Sequence, residues 1–313
     1  MIVTLAGGVG AARFLEGVVQ VVPPHDVTAI VNTGDDITLH GLYISPDVDI
    51  VTYTLAGIVD EAQGWGMRGD TYNTLEMLRR LGADTWFLLG DRDLATHIRR
   101  TELLLAGATL STVTDEFRRS LGVDVRILPM SDDPVGTYIR TPDGLIHFEN
   151  YLVQRHAQDQ VLGIHFEGTA AARPAPGVLE AIREAEAVLI APSNPIVSVG
   201  TILAVPGVRA ALQETSAPVV AVSPIVGGAA IKGPAAPLMT ALGYEVSARG
   251  VAACYAGLAD VLVIDQVDEA LAGDIRAAGM DVLITDTIMR GPAEKRALAR
   301  AALDAARRKG ARR

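Results

Sequence analysis

The sequence has 313 residues, of which 49% are hydrophobic and 20% charged, and its formal net charge at pH 7 is −10. This hydrophobic content excludes a disordered chain, and the acidic balance argues against a nucleic-acid-binding protein, which normally has a basic surface. The single cysteine, Cys254, excludes an internal disulfide and a cysteine-rich zinc site. We expect a cytoplasmic protein without membrane contact, since no apolar run reaches about 20 residues and no signal peptide is evident.

Short apolar runs alternate with amphipathic stretches from the N-terminus onward. The predicted buried strands are residues 2–5, 27–31, 86–89, 188–191, 219–223, 261–264 and 282–285. The predicted helices include residues 71–81, 94–105, 177–187 and 293–309. Because this alternation is typical of a mainly parallel sheet covered on both faces, we predict an α/β fold. The basic residues at the end, through Arg312 and Arg313, favour a helix C-terminus followed by a frayed tail.

One segment departs from the alternation. Residues 135–140 and 145–151 flank a Thr-Pro-Asp-Gly turn and predict a β-hairpin, and residues 109–121 before them predict a helix. We therefore expect residues 109–151 to form an insertion that caps the main sheet. The core would then consist of residues 1–108 and 152–313.

Glycines follow the first predicted strand. Gly7, Gly8 and Gly10 stand where a helix begins, so the backbone can approach a ligand closely and free N–H groups can bind an anion. Arg13, in the same helix, could pair with a phosphate. The spacing matches neither the dinucleotide fingerprint nor a P-loop, so a plain strand–helix turn is the alternative.

Carboxylates follow the second predicted strand in two groups, Asp35-Asp36 and Asp47-Val48-Asp49. Neighbouring carboxylates repel each other unless a cation or hydrogen-bond donors lie between them. Oxygen-only groups of this kind suit Mg²⁺, which takes one or two carboxylates and completes its shell with water and substrate phosphates. Each group taken alone could also be a helix cap or a solvated turn.

The sequence Gly-Asp-Arg-Asp follows the predicted strand 86–89. Asp91 and Asp93 could hold Arg92 between them while its guanidinium faces a planar or anionic ligand. A surface ion-pair cluster is the alternative. His97, in the first turn of the next helix, is a minor candidate at the edge of the site.

Polar loops follow two strands of the second half. Ser193 and Asn194 lie in a loop flanked by prolines and offer neutral donors and acceptors to a base edge or a phosphate. A similar loop follows Ser223, with Lys232 nearby. Since ligands of open α/β sheets bind beyond the carboxyl ends of the strands, these loops favour a nucleotide site.

Motifs of covalent and zinc catalysis are absent from the sequence: there is no nucleophile elbow, no His-Glu-x-x-His and no Cys–His pair. The residues alone therefore predict an anion- or nucleotide-binding α/β protein with Mg²⁺ and phosphoryl-type chemistry.

Six segments of the chain, read together, are specific to one family. They are LAGGVGAARFLEGV, VNTGDD, HGLYISPDVDIVTYTLAG, GDRDLATHIRRTELL, LIAPSNPIVSVGTIL, and SPIVGG with KGPA. With them the sequence resembles the 2-phospho-L-lactate transferase family of coenzyme F420 biosynthesis, from Met1 to about Asp286. The resemblance implies a Rossmann-like core, a homodimer and an active enzyme.

The resemblance also implies a reaction. Its acceptor is the deazaflavin Fo, which carries a ribityl chain, and its donor is a guanosine diphosphate-linked lactyl, enolpyruvyl or glyceryl acid. The phospho-acid group moves to the terminal ribityl hydroxyl, which gives F420-0 or its dehydro form, releases GMP and requires Mg²⁺. The sequence does not select among the three donor acids.

Individual positions match those of the family. Asp35 and Asp49 match acidic positions that would hold the metal and serve catalysis, with Asp47 as a companion. Asp49, Arg92 and Asp36 match positions of the Fo site, which residues 109–151 would cover. We expect Asp35 or Asp49 also to orient the attacking hydroxyl. The matching nucleotide and phosphate positions are Gly7, Gly8, Gly10, Arg13, Ser193 and Asn194.

Two other functions remain open. A related family of regulatory proteins with a similar glycine-rich start binds nucleotide sugars without catalysis, and the segments GDRDLATH and SPDVD favour the transferase over it. An NAD-dependent oxidoreductase on a similar sheet is the other alternative, and the missing Gly-x-Gly-x-x-Gly fingerprint argues against it.

Overall fold

The fold is described by a computed structural model that covers residues 1–311, so Arg312 and Arg313 of the predicted tail lie outside the described residues. The strands are β1 (Ile2–Ala6), β2 (Val27–Val31), β3 (Ile37–Leu39), β4 (Leu42–Ile44), β5 (Arg126–Pro129), β6 (Gly136–Thr141), β7 (Gly144–His147), β8 (Gly163–Glu167), β9 (Ala187–Ile190), β10 (Val219–Val222), β11 (Ile225–Val226), β12 (Ala229–Ala230), β13 (Val261–Asp265) and β14 (Asp281–Thr285).

The helices surround these strands. They are α1 (Gly8–Val18), α2 (Pro46–Leu55), α3 (Asn73–Arg80), α4 (Asp91–Leu105), α5 (Leu110–Ser120), α6 (Val178–Arg183), α7 (Val199–Ala204), α8 (Val208–Glu214), α9 (Ala235–Ala241), α10 (Ala248–Cys254), α11 (Ala272–Ala277) and α12 (Pro292–Gly310). Short helical turns cover Pro24–Asp26, Asn150–Gln154 and Gln266–Leu271. None of the helices within residues 1–311 is long and apolar enough to cross a membrane.

A parallel sheet of seven strands forms the centre of the molecule, in the order β14-β13-β10-β9-β1-β2-β5. The chain builds outward from β1 in one direction through β2 and β5, and in the other direction from β9 to β14. The order therefore reverses between β1 and β9, which is where sheets of this type bind ligands. The predicted α/β fold with a mainly parallel, Rossmann-like sheet is confirmed.

Both faces of the central sheet are buried. In β1, Val3 and Leu5 join one core, which α6 to α11 cover, whereas Ile2 and Ala6 join the other, which α1, α2 and α12 cover. Because alternate side chains enter two different apolar layers, the strands are continuous hydrophobic runs without polar alternation.

Residues 86–89 do not form the strand that their apolar character predicts. The sheet edge beside β2 is occupied by β5, which the sequence did not indicate because its Ile-Leu-Pro core is short. Leu89 instead packs with Ile44 and Leu94 in a small separate cluster. The apolar residues of this segment thus pack outside the central sheet.

The predicted hairpin is present as β6 and β7, and β8 adds a third antiparallel strand to it. Its second strand ends at His147, before the predicted residue 151, since the chain there enters the π-helical turn Asn150–Gln154. Residues 109–151, predicted to form a capping insertion, do not form a separate layer. Strand β5, which lies within this range, joins the central sheet, and β8, which lies outside it, completes the small antiparallel sheet.

Candidate functional site

A cavity of about 650 Å³ lies at the carboxyl end of the central sheet. Its walls come from the segments that follow β1, β2, β9, β10 and β14, together with α2 and the turn after β7. Cavities of about 300–1,000 Å³ are usual for small-molecule sites. The cavity coincides with the reversal of strand order between β1 and β9.

The glycine turn after β1 forms the floor of the cavity. Gly8 begins α1 with a φ of +71°, a left-handed conformation that favours glycine. A Cβ on Gly10 would lie 2.3 Å from the carbonyl oxygen of Pro192, so the turn and the loop after β9 can touch only through glycine. Gly7 has no side chain to cap α1, and Asp47 accepts the backbone N–H of Gly8, so the later N–H groups of the first turn are left to bind an anion.

Two cations, Arg13 and Lys232, are found among the described residues that line the cavity. The guanidinium of Arg13 donates a hydrogen bond to the carbonyl of Met289. Lys232 lies in the loop after β12, and a Cβ on Gly64 would lie 2.8 Å from its Nζ and 3.6 Å from Val9 in the first turn of α1. The exposed ammonium of Lys232 is therefore close to the N-terminal end of α1.

Ser193 and Asn194 also line the cavity, as the sequence predicts for a nucleotide site. The backbone N–H of Gly7 donates to Ser193 Oγ at 3.3 Å, which joins the two loops. Asn194 Oδ1 accepts hydrogen bonds from the backbone N–H groups of Ile196 (3.0 Å) and Val197 (3.3 Å). The side-chain amide group of Asn194 remains as a donor toward a ligand.

Asp35 and Asp47 form an acidic wall beside the glycine turn, since a Cβ on Gly7 would lie 2.9 Å from Asp47 Oδ2 and one on Gly8 would lie 3.8 Å from Asp47 Oδ1. Asn32 holds the two carboxylates together, because its Nδ2 donates to Asp35 Oδ2 at 3.0 Å and to Asp47 Oδ2 at 2.9 Å. The hydroxyl of Thr137 lies near Asp35, but among residues 1–311 the buried Asp35 Oδ1 has no partner at hydrogen-bond geometry. Such an orphaned carboxylate oxygen is costly unless a ligand satisfies it.

Burial changes the acidity of this wall. It raises the pKa of Asp35 well above its usual value, and the neighbouring charge of Asp47 raises it further. Burial also raises the pKa of Asp47 to about 6. Glu149, which follows β7 and lines the same cavity, has its pKa raised to about 8 by burial and then by the charges of Asp47 and Asp36. A bound cation would offset this repulsion.

The residues present fit a magnesium ion that is only partly held by protein. Within residues 1–311 no group of three or more His, Cys, Asp or Glu side chains is arranged to hold a metal. Asp35 and Asp47 supply two carboxylates, one of them with the unpartnered Oδ1. Two carboxylates completed by water and substrate phosphates are a usual shell for Mg²⁺.

The structure places Asp49 away from this wall. Both oxygens of Asp49 accept hydrogen bonds from the buried Arg100, with Nη1 to Oδ2 at 3.0 Å, and Asp49 does not line the cavity. Asp47 and Asp49 lie in the first turn of α2, where residues two apart face different sides. The predicted pair of Asp35 with Asp49 is therefore replaced by Asp35 with Asp47.

Asp36 lies behind the wall and does not line the cavity. Its carboxylate accepts hydrogen bonds from the hydroxyls of Tyr43 at 2.8 Å and Ser45 at 2.7 Å. Burial raises the pKa of Asp36 to about 8, although these hydrogen bonds act in the opposite direction. Asp36 thus supports the segment that carries Asp47.

Arg92 is exposed and lies outside the cavity lining, in contrast to its predicted contact with Fo. The flanking carboxylates do not hold its guanidinium, which donates to the carbonyl of Arg68 at 3.1 Å. Asp91 accepts hydrogen bonds from the start of α3, and Asp93 accepts one from Tyr53 at 2.7 Å.

His97 is buried beneath the acidic wall. It lies between Asp49, with Nδ1 to Oδ2 at 3.7 Å, and Asp93, with Nε2 to Oδ1 at 3.4 Å. It has no place in the cavity lining. His97 therefore belongs to the polar layer between α2 and α4.

An apolar wall completes the cavity, and the sequence did not reveal it. It includes Trp65, Phe87, Phe148 and Leu152. The sequence predicts Phe87 in a strand and Phe148 in the hairpin, because an apolar run does not show whether its residues face a core or a ligand. Only tertiary contacts distinguish these two roles.

Comparison with known proteins identifies the family. The family described as 2-phospho-L-lactate transferase CofD matches residues 2–300. A phosphoenolpyruvate transferase from Streptomyces griseus is 47% identical over 311 residues, which cover 97% of this chain and 98% of that protein. A 2-phospho-L-lactate transferase from Methanococcoides burtonii is 41% identical over 288 residues, 92% and 94% of the two chains.

A solved structure shares the fold. It is a member of the UPF0052 family from Bacillus halodurans, with a TM-score of 0.66 and 16% identity over 96% of this chain and 98% of that one. Identity this low supports a likeness of fold only. On the whole-length match, the chain belongs to the 2-phospho-L-lactate transferase CofD family, whose members are transferases of coenzyme F420 biosynthesis.

Proposed function

We propose that the protein transfers a phospho-acid group from a guanosine diphosphate-linked three-carbon acid to the terminal ribityl hydroxyl of Fo and releases GMP. One observation carries the proposal. One cavity brings together a glycine-rich helix N-terminus with two cations, a pair of buried carboxylates and an apolar wall. These three surfaces match a diphosphate, a metal-assisted transfer and an aromatic acceptor.

The donor would bind on the glycine side. Its diphosphate would lie at the N-terminus of α1, where the N–H groups and helix dipole favour negative charge. Lys232 and Arg13 would contact the remaining anionic oxygens, and the loop with Ser193 and Asn194 would contact the guanine or a phosphate. Because Asp47 lies beside Gly7 and Gly8, a cation bound by the acidic wall would offset the repulsion between Asp47 and the donor's diphosphate.

The acceptor would bind against the apolar wall. Trp65, Phe87 and Phe148 can cover the flat deazaflavin ring. The ribityl hydroxyl would then point to the acidic wall. Glu149, whose pKa is raised to about 8 in the free site, would be ionised once a bound cation offsets the neighbouring charges, and it would then accept the hydroxyl proton.

The reaction balances with these groups. The hydroxyl oxygen of Fo forms a bond to the phosphorus that carries the three-carbon acid, and the bond from that phosphorus to the GMP phosphate oxygen breaks. The hydroxyl proton passes to the Glu149 carboxylate, and the electron pair of the broken bond leaves with GMP. Positioning and charge stabilisation carry most of the catalysis in such transfers.

Asp35 and Asp47 would hold Mg²⁺ in this proposal. When bound, the ion supplies positive charge that offsets the phosphate oxygens as GMP leaves. Asp35 keeps the role that the sequence suggests, and Asp47 takes the one first given to Asp49, since Asp49 is paired with Arg100. The homodimer and the cytoplasmic location implied by the sequence stay predictions.

We propose the enolpyruvyl compound as the donor. Relatives named phosphoenolpyruvate transferase, from Streptomyces griseus and Kitasatospora aureofaciens, are 47% and 45% identical to this chain. The relative from Methanococcoides burtonii, named 2-phospho-L-lactate transferase, is 41% identical. The product with Fo would be dehydro-F420-0.

Binding of Fo tests the proposal against a nucleotide-sugar-binding regulator. We expect deazaflavin fluorescence to change on titration with the protein, and the change to weaken when Phe148 is replaced by alanine. A protein that binds nucleotide sugars but leaves Fo fluorescence unchanged would instead be a regulator.

A further inference from the structure

We infer that Arg100 is a positioning residue of the transferase: it fixes residues 43–49 and thereby places Asp47 beside Asp35. The inference rests on the proposed function, in which these two carboxylates hold the metal. It gives Asp49 a definite role as the partner of Arg100.

Arg100 contacts both ends of one short segment. Its side chain is among the largest that are fully buried, with 1% of the residue exposed. Nη1 donates to the carbonyl of Tyr43 at 3.4 Å and to Asp49 Oδ2 at 3.0 Å, and Nη2 donates to Asp49 Oδ1. One planar guanidinium thus holds the middle of β4 and the first turn of α2.

The held segment carries the groups that build the acidic wall. Tyr43 and Ser45 donate their hydroxyls to Asp36, and Asp47 accepts from Asn32, which also binds Asp35. Moving the segment would therefore move Asp47 relative to Asp35 and release the donors of Asp36.

The helix α4 is itself anchored around Arg100. Thr101 Oγ1 accepts the backbone N–H of Tyr43 at 2.8 Å, so α4 holds both polar backbone groups of that residue. His97 Nδ1 lies 3.3 Å from Arg100 Nη1, and Asp93 is bound by Tyr53 of α2. A planar guanidinium that donates hydrogen bonds to several fixed partners cannot be replaced by a single ammonium group.

Charge and geometry predict opposite effects on metal binding. If Arg100 acted only through its charge, removing that charge would make the acidic wall more negative and strengthen the binding of a cation. If Arg100 acts by positioning, its loss should weaken cation binding. An Arg100→Lys variant keeps the positive charge and removes only the planar arrangement of guanidinium donors.

The test is a Mn²⁺ titration of the purified protein, followed by electron paramagnetic resonance of the free ion. We expect Arg100→Lys and Arg100→Met to weaken Mn²⁺ binding by about tenfold or more, as with other partners of metal ligands. Arg99→Lys is the matched control, because Arg99 is half-exposed and pairs with Glu102 and Glu116 on the surface; its affinity should equal that of the wild type.

Arg100→Met leaves Asp49 buried without a partner and could fail to fold, so Arg100→Lys decides the matter. Unchanged or tighter Mn²⁺ binding by folded Arg100→Lys would overturn the inference. Absence of Mn²⁺ binding by the wild type would overturn the metal site of the proposed function, and the inference with it. Turnover supplies a second readout: Arg100→Lys should raise the Mg²⁺ concentration needed for half-maximal rate while leaving the KM for Fo unchanged.

Discussion

Asp35 and Asp47 give the cavity its distinctive chemistry at the scale of single residues. Both are buried, and Asn32 is shared between them. Two carboxylates in this position repel each other when ionised, so the site without a cation holds protons that it would release when a cation binds. Metal binding should therefore be stronger at higher pH.

Replacing either carboxylate by its amide tests this assignment. We expect Asp35→Asn and Asp47→Asn each to lower kcat about 10²-fold or more, because a preorganised charged group is lost from the site of transfer. Glu61→Gln is a suitable control, since Glu61 is an exposed acid outside the cavity lining. Turnover close to the wild-type value in both amide variants at saturating Mg²⁺ would refute the assignment.

Glu149 makes stability depend on pH. Its pKa is raised from 4.5 to about 8, so between these values the folded protein keeps a proton that the unfolded chain has lost. The free energy of unfolding should therefore fall as pH rises through this window. Asp36, whose pKa is also raised to about 8, acts in the same direction.

Urea unfolding of the metal-free protein across that window measures the effect. Glu149→Gln should show a shallower fall in unfolding free energy with pH than the wild type, because the variant has no carboxyl at this position to titrate. Equal pH slopes for the two proteins would show that Glu149 is not buried as described.

The assignment of single acids shows where sequence information ends. The residues after β2 predict an acidic site that includes Asp35, and the resemblance to the family implies Asp49 as the partner of Asp35. Asp47 and Asp49 have the same side chain and lie two residues apart on one helix, so only the orientation of α2 decides which of them meets Asp35. That orientation depends on Arg100, some fifty positions away in the chain.

At the scale of elements, the glycine turn from β1 into α1 determines how closely α1 can approach the loop that follows β9. Gly10 faces the carbonyl of Pro192, and Gly7 donates to Ser193. Both contacts join the segment after β1 to the segment after β9, across the reversal of strand order. The position of the N-terminal end of α1 depends on this packing.

A methyl group on Gly10 tests this contact. Its Cβ would lie 2.3 Å from a backbone oxygen that cannot rotate away, so we expect Gly10→Ala to destabilise the protein by about 1–3 kcal/mol, as in other overpacked cores. Chemical denaturation measures the change. Gly273→Ala is the control, because a Cβ there meets nothing within 4 Å and alanine favours the helix α11; equal stability of the two variants would contradict the proposed close contact.

The sequence predicts strands well where both faces of the strand are buried, because such strands are continuous apolar runs. Six of the seven predicted strands lie in the central sheet. The prediction of a strand at residues 86–89 is wrong because a segment of a cavity wall and a buried strand have a similar apolar composition. The edge strand β5 was missed because an edge position needs little apolar sequence.

At the scale of the whole molecule, the net charge of −10 coexists with a cavity for an anionic donor. Arg13, Lys232 and the end of α1 supply positive charge to the cavity, and a cation held by Asp35 and Asp47 would offset the charge of these acids, which reach Gly7 at the start of α1. A position at the reversal of strand order brings these segments together although they are far apart in sequence.

The product of the reaction tests the central claim most directly. Purified protein is incubated with Mg²⁺, Fo and each of the three guanosine diphosphate-linked acids in turn, and the products are identified by mass spectrometry. The account predicts dehydro-F420-0 together with an equal amount of GMP from the enolpyruvyl donor, and none without Fo. Failure of all three donors to modify Fo, in a preparation that binds Fo, would contradict it.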